Sequence, residues 1–211
     1  ENPGVSRLVT TAVWVRDRAL KEWGTEIPWL PWGYDAPEPP SRTRPQTPRC
    51  LLAVRWHWRK NPEGTLRLAR AIRDRLGWPL SILCKDGVRP EMEDLADCLV
   101  TDASDADVLS LYRESAFFVS CSNQEGQFLM ATEAMAQGCV PVVQAWGTEH
   151  IPDYAGVRLP DPEDLSAYLK ALGHAWTLWN SYSQAARAEA LRWRWEKVLP
   201  RWIALFREWM D

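Results

Sequence analysis

AFFVSCSNQEGQFLMATEAMAQGCVPVVQ, residues 116–144, is the stretch that decides the fold. Its two ends, 116–120 and 140–144, are short apolar runs rich in Phe and Val, the pattern of strands buried on both faces. Between them a polar loop reaches Gly126, and a helix-forming run from there ends at Gly138, suited to the left-handed conformation that closes helices. Strand, loop, helix and strand in succession make a crossover unit of a parallel sheet. Such a unit leaves the unpaired N–H groups of the helix start at the carboxyl edge of the sheet. Helix starts bind anions, and ligands of open parallel sheets sit in the crevice at that edge.

Working outward, further strands are expected at 50–54, 80–84, 98–100 and 157–159. Helices are expected at 65–76, with Asn61 as N-cap, Pro62 as first residue and Gly77 at the end, and at 105–114 and 162–172. The fold class is therefore α/β: a Rossmann-like parallel sheet with helices on both faces, plus C-terminal helices. Residues 7–15 read as a β-rich run, 16–23 as a helix ending at Gly24, and 27–30 as a short strand. Residues 36–48 hold five prolines among polar residues and read as a linker. The division expected is 1–35, linker 36–48, Rossmann-like domain 49–174 and Trp-rich helices 175–211. In that last segment Pro200 is placed to kink or break the helix, and Trp195, Trp202 and Trp209 share one face at heptad spacing.

Composition narrows the function. Apolar residues are 46% and charged residues 25% of 211, which excludes a disordered chain. Twenty-five Lys and Arg against 28 Asp and Glu give a net charge of -3, so no bulk attraction to nucleic acid is expected. The five cysteines form an odd set without a C-x-x-C pair and read as buried thiols of a reducing compartment. With neither a leader pattern nor a long apolar span, a cytoplasmic location is expected. The opening Glu1 reads as a cut or processed end. No H-x-x-x-H, D-x-D or cysteine cluster favours a metal site.

Two acids, Glu125 and Glu133, flank the anion-binding helix start. Beside an anion a carboxylate is useful when it accepts hydrogen bonds from hydroxyls, such as those of a sugar or ribose. The plainer alternative is that Glu125 complements the helix dipole and Glu133 is solvated. Basic residues are supplied by RWHWRK, residues 55–60, where Arg55 and Lys60 suit a diphosphate and Arg59 can replace either. A solvated loop is the alternative there, and Trp56, His57 and Trp58 either line an acceptor cleft or pack locally.

Residues 125–143, with Glu125-Gly126, Glu133-Ala134-Met135-Ala136, Gly138 and Pro141-Val142-Val143, resemble the E-x7-E signature of the family 4 glycosyltransferases of GT-B fold. Further pieces follow in the family's order. PWGYD at 31–35 resembles its interdomain segment, Arg55 and Lys60 its Arg and Lys five apart, residues 107–112 its helix before the motif strand, and RWRWE at 192–196 its C-terminal aromatic segment. Phe128 stands where the family has a small residue or proline, and Val54 where it has glycine.

The resemblance implies the donor-binding C-terminal half of an enzyme of polysaccharide or glycoside synthesis. A sugar would pass from a nucleotide-diphosphate sugar to a glycan, lipid-linked or small-molecule acceptor, with retention of configuration. Glu133 would bind ribose hydroxyls and Glu125 the donor sugar. The N–H groups of Gly126, Gln127 and Phe128 would approach the sugar or diphosphate, and Arg55 and Lys60 would neutralise the leaving diphosphate. No metal or other cofactor is implied. Residues 1–35 would be the remnant of an N-terminal domain with its interdomain segment, and the acceptor domain would come from elsewhere in the polypeptide or from a partner chain. A nucleotide-sugar-binding module without turnover and an interaction domain are the rival readings. The Trp- and Arg-bearing tail also suits peripheral contact with a membrane.

Overall fold

The computed structural model describes residues 7–35, 37 and 41–210. Six parallel strands form one sheet: β1 (Cys50–Val54), β2 (Leu80–Cys84), β3 (Cys98–Thr101), β4 (Phe117–Ser120), β5 (Val140–Gln144) and β6 (Val157–Leu159). Their order is β3-β2-β1-β4-β5-β6. The chain runs outward from β1 to β3 and then returns to place β4 beside β1, with Cys50 opposite Phe117. The strand order therefore reverses between β1 and β4, where the carboxyl ends of an open sheet leave a crevice.

Helices cover both faces: α1 (Val13–Trp23), α2 (Pro62–Leu76), α3 (Pro90–Leu95), α4 (Asp105–Glu114), α5 (Leu129–Ala136), α6 (Leu165–Thr177), α7 (Trp179–Ala190) and α8 (Trp195–Met210). Successive strand residues divide between two cores. Leu52 and Phe117 pack with Leu68 and Ile72 of α2 and Leu172 of α6. Leu51 and Phe118 pack on the other side with Tyr112 of α4, Met135 of α5 and Ala186 of α7. Each fully buried Leu, Ile, Phe or Met side chain among them contributes about 1.5–3 kcal/mol, which is why the strands read as uninterrupted apolar runs.

The strands expected at 50–54, 80–84, 140–144 and 157–159 form with those bounds, and the others differ by one residue. Asn61 caps α2 as anticipated, its side chain accepting from the Gly64 N–H at 3.1 Å. Several helices depart from the sequence reading. The β-rich run 7–15 contributes only a bridge between Thr10 and Trp29; the Ala12 N–H donates to Thr10 Oγ1, and α1 has begun by Val13. The helix expected near Gly126 starts at Leu129. The tail divides into α7, a 3-10 turn at Leu191–Trp193, and α8. Pro200 lies inside α8 without ending it, because the hydrogen bond it forgoes would reach only the Glu196 carbonyl in the exposed first turn.

Two segments outside the sheet are pinned by aromatic and cationic contacts. Trp202 of α8 stacks on Trp32 with ring centres 5.2 Å apart and donates to the Pro31 carbonyl at 2.8 Å, while Trp195 meets Trp32 edge-on at 5.6 Å. A Cβ on Gly33 would overlap the Trp195 ring, so the glycine of PWGYD permits this close approach. The described part of the proline-rich segment lies against the domain. Arg42 donates to the carbonyls of Tyr112 and Gln137, each at 3.2 Å, and to that of Ser115, with its guanidinium over Trp179. Arg44 covers the Trp176 ring at 3.9 Å.

Candidate functional site

The site forms where the β1 and β4 loops meet. Beyond Val54 the chain leaves the sheet through Arg55, whose Nε donates to Asp86 Oδ2 at 3.2 Å. His57 then caps the 3-10 turn Trp58–Lys60 by accepting from the Arg59 N–H at 3.2 Å, and that turn directs Lys60 toward the β4 loop. The two loops are joined by backbone bonds: the N–H groups of Asn123 and Gln124 donate to the Arg59 carbonyl at 2.8 and 3.2 Å, and Asn123 Nδ2 donates to the Trp58 carbonyl at 2.8 Å.

Glu125 is held from several directions. Lys60 Nζ donates to both of its carboxylate oxygens at 2.7 Å. Trp14 Nε1, from α1, donates to its backbone carbonyl at 2.7 Å. Gly147, at φ +77°, lies so close that a Cβ there would collide with the Glu125 carbonyl. The glycine is required for both its φ and the contact.

Arg55, Arg59, Lys60, Glu125, Gly126 and Trp14 line a cavity of about 400 Å³, together with His57 and Gln124. Three cations and one carboxylate line it. With Arg55 also paired to Asp86 outside the lining, the balance is still positive, which suits an anionic ligand. Gly126 has open space where a side chain would project, which leaves its backbone accessible.

The other sequence-selected residues, Gln127, Phe128 and Glu133, are not in the lining of this cavity. Glu133, one turn into α5, accepts from the Tyr112 hydroxyl at 3.1 Å. Burial raises its pKa above the usual carboxylate value; the Tyr112 bond opposes that rise, and Asp105 at the start of α4 adds to it. Glu133 lies in α5, the helix that follows the β4 loop, and outside the lining of the cavity that Arg55 shares. Gln127 is turned to PWGYD, where its Nε2 donates to the Trp32 carbonyl at 3.0 Å. The Phe128 N–H donates to the Gly147 carbonyl at 3.2 Å. Its ring packs into the core against Phe118 at 5.5 Å, with Lys60 Nζ 5.3 Å from the ring centre, so this bulky residue supports the lysine from beneath.

Residues 47–175 match the family model described as glycosyl transferases group 1. The chain belongs to that family. No curated protein matches it. Among solved structures, this group 1 glycosyl transferase chain is similar to a mutant of S. aureus TarM in complex with fondaparinux, alpha-GlcNAc-glycerol and UDP, with TM-score 0.78 and 17% identity over 95% of this chain and 43% of that one. It is also similar to the pneumococcal O-GlcNAc transferase GtfA in complex with UDP and GlcNAc (TM-score 0.76, 14% identity, 97% and 45% covered). WaaG, a glycosyltransferase involved in lipopolysaccharide biosynthesis, gives TM-score 0.69 at 17% identity, with 90% and 60% covered. The chain thus spans between 43% and 60% of the length of these proteins, and the likeness is one of fold.

Two contributors to this group 1 site are not selected from the sequence. Trp14 lies 111 residues from Glu125 in a run that reads as strand. Gly147 opens Gly147-Thr148-Glu149-His150, which only loosely resembles the family's Gly-Gly segment followed by an acid and does not announce the contact with Glu125. No group of His, Cys, Asp and Glu suited to a metal ion occurs among the described residues, nor is any helix there long and apolar enough to cross a membrane.

Proposed function

We propose that this chain is the donor-binding half of a retaining glycosyltransferase, of the family 4 type that carries the E-x7-E signature. A nucleotide-diphosphate sugar occupies the 400 Å³ cavity and needs no metal. The observation that carries this reading is the cluster of Arg55, Arg59 and Lys60 around Glu125 at the reversal of strand order. A diphosphate placed there meets Arg55 and Lys60. When the bond from the sugar's anomeric carbon to the diphosphate oxygen breaks, the electron pair leaves on that oxygen. The acceptor's hydroxyl oxygen bonds to the same carbon, and the acceptor's proton passes to the departing diphosphate. Fixed cations stabilise the developing charge in a partly desolvated site. The phosphate exchanges places with the Glu125 carboxylate as the partner of Lys60, and Glu125 then accepts from hydroxyls of the donor sugar. The Gly126 backbone approaches the sugar or diphosphate from the open side, and Glu133 accepts from the ribose.

UDP in the solved TarM and GtfA complexes supports a nucleotide in this fold. The acceptor domain is supplied by further polypeptide or by a partner chain, as the solved complex of GtfA and GtfB would allow. A cytoplasmic location, with the α8 surface available to a membrane face, completes the reading. A melting-temperature screen of UDP- and GDP-sugars tests it. Ligands that bind the native state raise the midpoint by mass action, about 2.7 kcal/mol at a hundred times Kd. A screen in which no nucleoside diphosphate or its sugar shifts the midpoint contradicts it.

A further inference from the structure

Strands β1 and β2 lie side by side, with Val54 opposite Cys84, so the loops that leave them share one stretch of the carboxyl edge. Two residues past Cys84, Asp86 accepts from Arg55 Nε at 3.2 Å. The backbone that carries Asp86 is tied down at the next residue. The Gly87 carbonyl accepts from Trp56 Nε1 at 2.8 Å and from Cys84 Sγ at 3.1 Å. Gly87 itself takes φ +105°, a conformation that L side chains rarely adopt. Arg89 then covers the Trp56 ring, 3.4 Å from its centre. Arg55 and Trp56 on one loop thus meet Asp86, Gly87 and Arg89 on the other.

Stability does not account for the ion pair. The Arg55 side chain is 54% exposed and that of Asp86 34%, and a pair so open to water adds little to the folded state. Its geometry is more informative. A guanidinium has five N–H donors in a rigid plane, and Asp86 takes the one on Nε. Among the described residues the Arg55 side chain has no other hydrogen-bond or ion-pair partner, and it lines the 400 Å³ cavity. The four donors on its terminal nitrogens remain for a ligand. Lys60 differs, because both oxygens of Glu125 engage its Nζ and a phosphate must take their place.

The structure assigns Asp86 as a positioning residue. It fixes the plane of the Arg55 guanidinium from the Nε side and so leaves the terminal N–H groups to the diphosphate. The inference rests on the donor reading of the cavity. It runs against the simple electrostatic expectation, in which a carboxylate near a phosphate site weakens that site. Held along one edge, Arg55 has less side-chain freedom to lose when the ligand arrives. Without Asp86 the ligand must itself immobilise a long side chain, which costs about two- to tenfold in affinity.

Calorimetric titration of UDP, GDP and their nucleosides into the wild type, Asp86→Ala, Asp86→Asn, Arg55→Ala and the double variant Arg55→Ala with Asp86→Ala tests the assignment. Asp86→Ala should weaken the preferred diphosphate by about two- to tenfold and leave nucleoside affinity and the melting temperature unchanged. Asp86→Asn keeps an acceptor oxygen and should recover most of the loss. With Arg55 already replaced, Asp86→Ala should change nothing further. Unchanged or tighter diphosphate binding by Asp86→Ala, in a protein that Arg55→Ala weakens, overturns the positioning role and leaves the donor site standing. A loss that persists in the Arg55→Ala background, or that extends equally to the nucleoside, also overturns it. A wild-type protein that binds neither diphosphate removes the donor reading, and this assignment with it.

Discussion

Lys60 Nζ sits 2.7 Å from both carboxylate oxygens of Glu125, tying the end of β1 to the end of β4 across the reversal of strand order. The Glu125 side chain is 7% exposed and the Lys60 side chain 31%. Removing the cation therefore leaves a buried carboxylate without its main partner. Lys60→Ala should destabilise the protein by about 1–3 kcal/mol, and Lys60→Ala with Glu125→Ala by less than the sum of the single changes. Urea denaturation of the four proteins gives the coupling directly; additive losses would show that the pair is not an energetic unit.

Gly147 fixes the position of the Glu125 backbone. At φ +77°, with the Glu125 carbonyl in the way of any Cβ, Gly147→Ala meets both backbone strain and a clash. A loss of about 2–4 kcal/mol is expected, together with weaker UDP or GDP binding, because the shift is transmitted to the carboxylate beside Lys60. Gly126→Ala, where a Cβ meets nothing within 4 Å, should leave stability nearly unchanged and affect nucleotide binding alone. Melting curves and titrations of the two variants separate these effects.

Acid stability should report on His150. This ring is buried, with Nε2 3.0 Å from Thr132 Oγ1 and its edge toward Trp193. Burial, aided by Arg158, pushes its pKa down from 6.5 to about 4. Below pH 6.5 the unfolded chain takes up a proton that the folded state refuses. Stability should thus fall as pH drops from 6.5 toward 4, by up to about 3 kcal/mol from this group, and the group's contribution should level off below that. His150→Gln should flatten this part of the profile in denaturation measured at pH 7 and pH 4.5.

Arg42 makes the proline-rich segment part of the fold. Three carbonyls, of Tyr112, Ser115 and Gln137, receive its guanidinium, and Trp179 lies beneath it. Arg42→Ala should cost about 2–4 kcal/mol, since charged hydrogen bonds are lost and buried acceptors are stranded. Residues 41–48 should then become the first site of limited proteolysis. A lysine cannot reproduce the planar fork, so Arg42→Lys should recover little of the loss.

Much of the sheet was legible because each strand is a short Val-, Leu- or Phe-rich run that two faces of helices must bury. Bounds set by local chemistry were legible too: Asn61-Pro62 and Gly77 mark the ends of α2 without help from distant residues. Bounds set by distant partners were not. Leu129 opens α5 three residues beyond Gly126 because the Phe128 N–H goes to Gly147 and the Gln127 amide to Trp32. Residues 7–15 have strand composition but find only the Thr10 bridge. Helix α3 is six residues long, too short to show a period. At the site, Arg55, Lys60 and Glu125 could be selected from sequence, and they line one cavity. Glu133 could be selected as well, but its bond to Tyr112 and its place outside that lining depend on how α4 and α5 pack.

The central claim is that paired cations at 55 and 60 hold a diphosphate. Calorimetric titration of UDP and uridine, and of GDP and guanosine, into the wild type, Arg55→Ala and Lys60→Ala tests it most directly. Each substitution should weaken the preferred diphosphate by about 10- to 100-fold, as expected for a charged hydrogen bond of ~1.5–3 kcal/mol, and leave the nucleoside within about twofold. Equal losses for diphosphate and nucleoside, or no loss for either, would contradict the assignment.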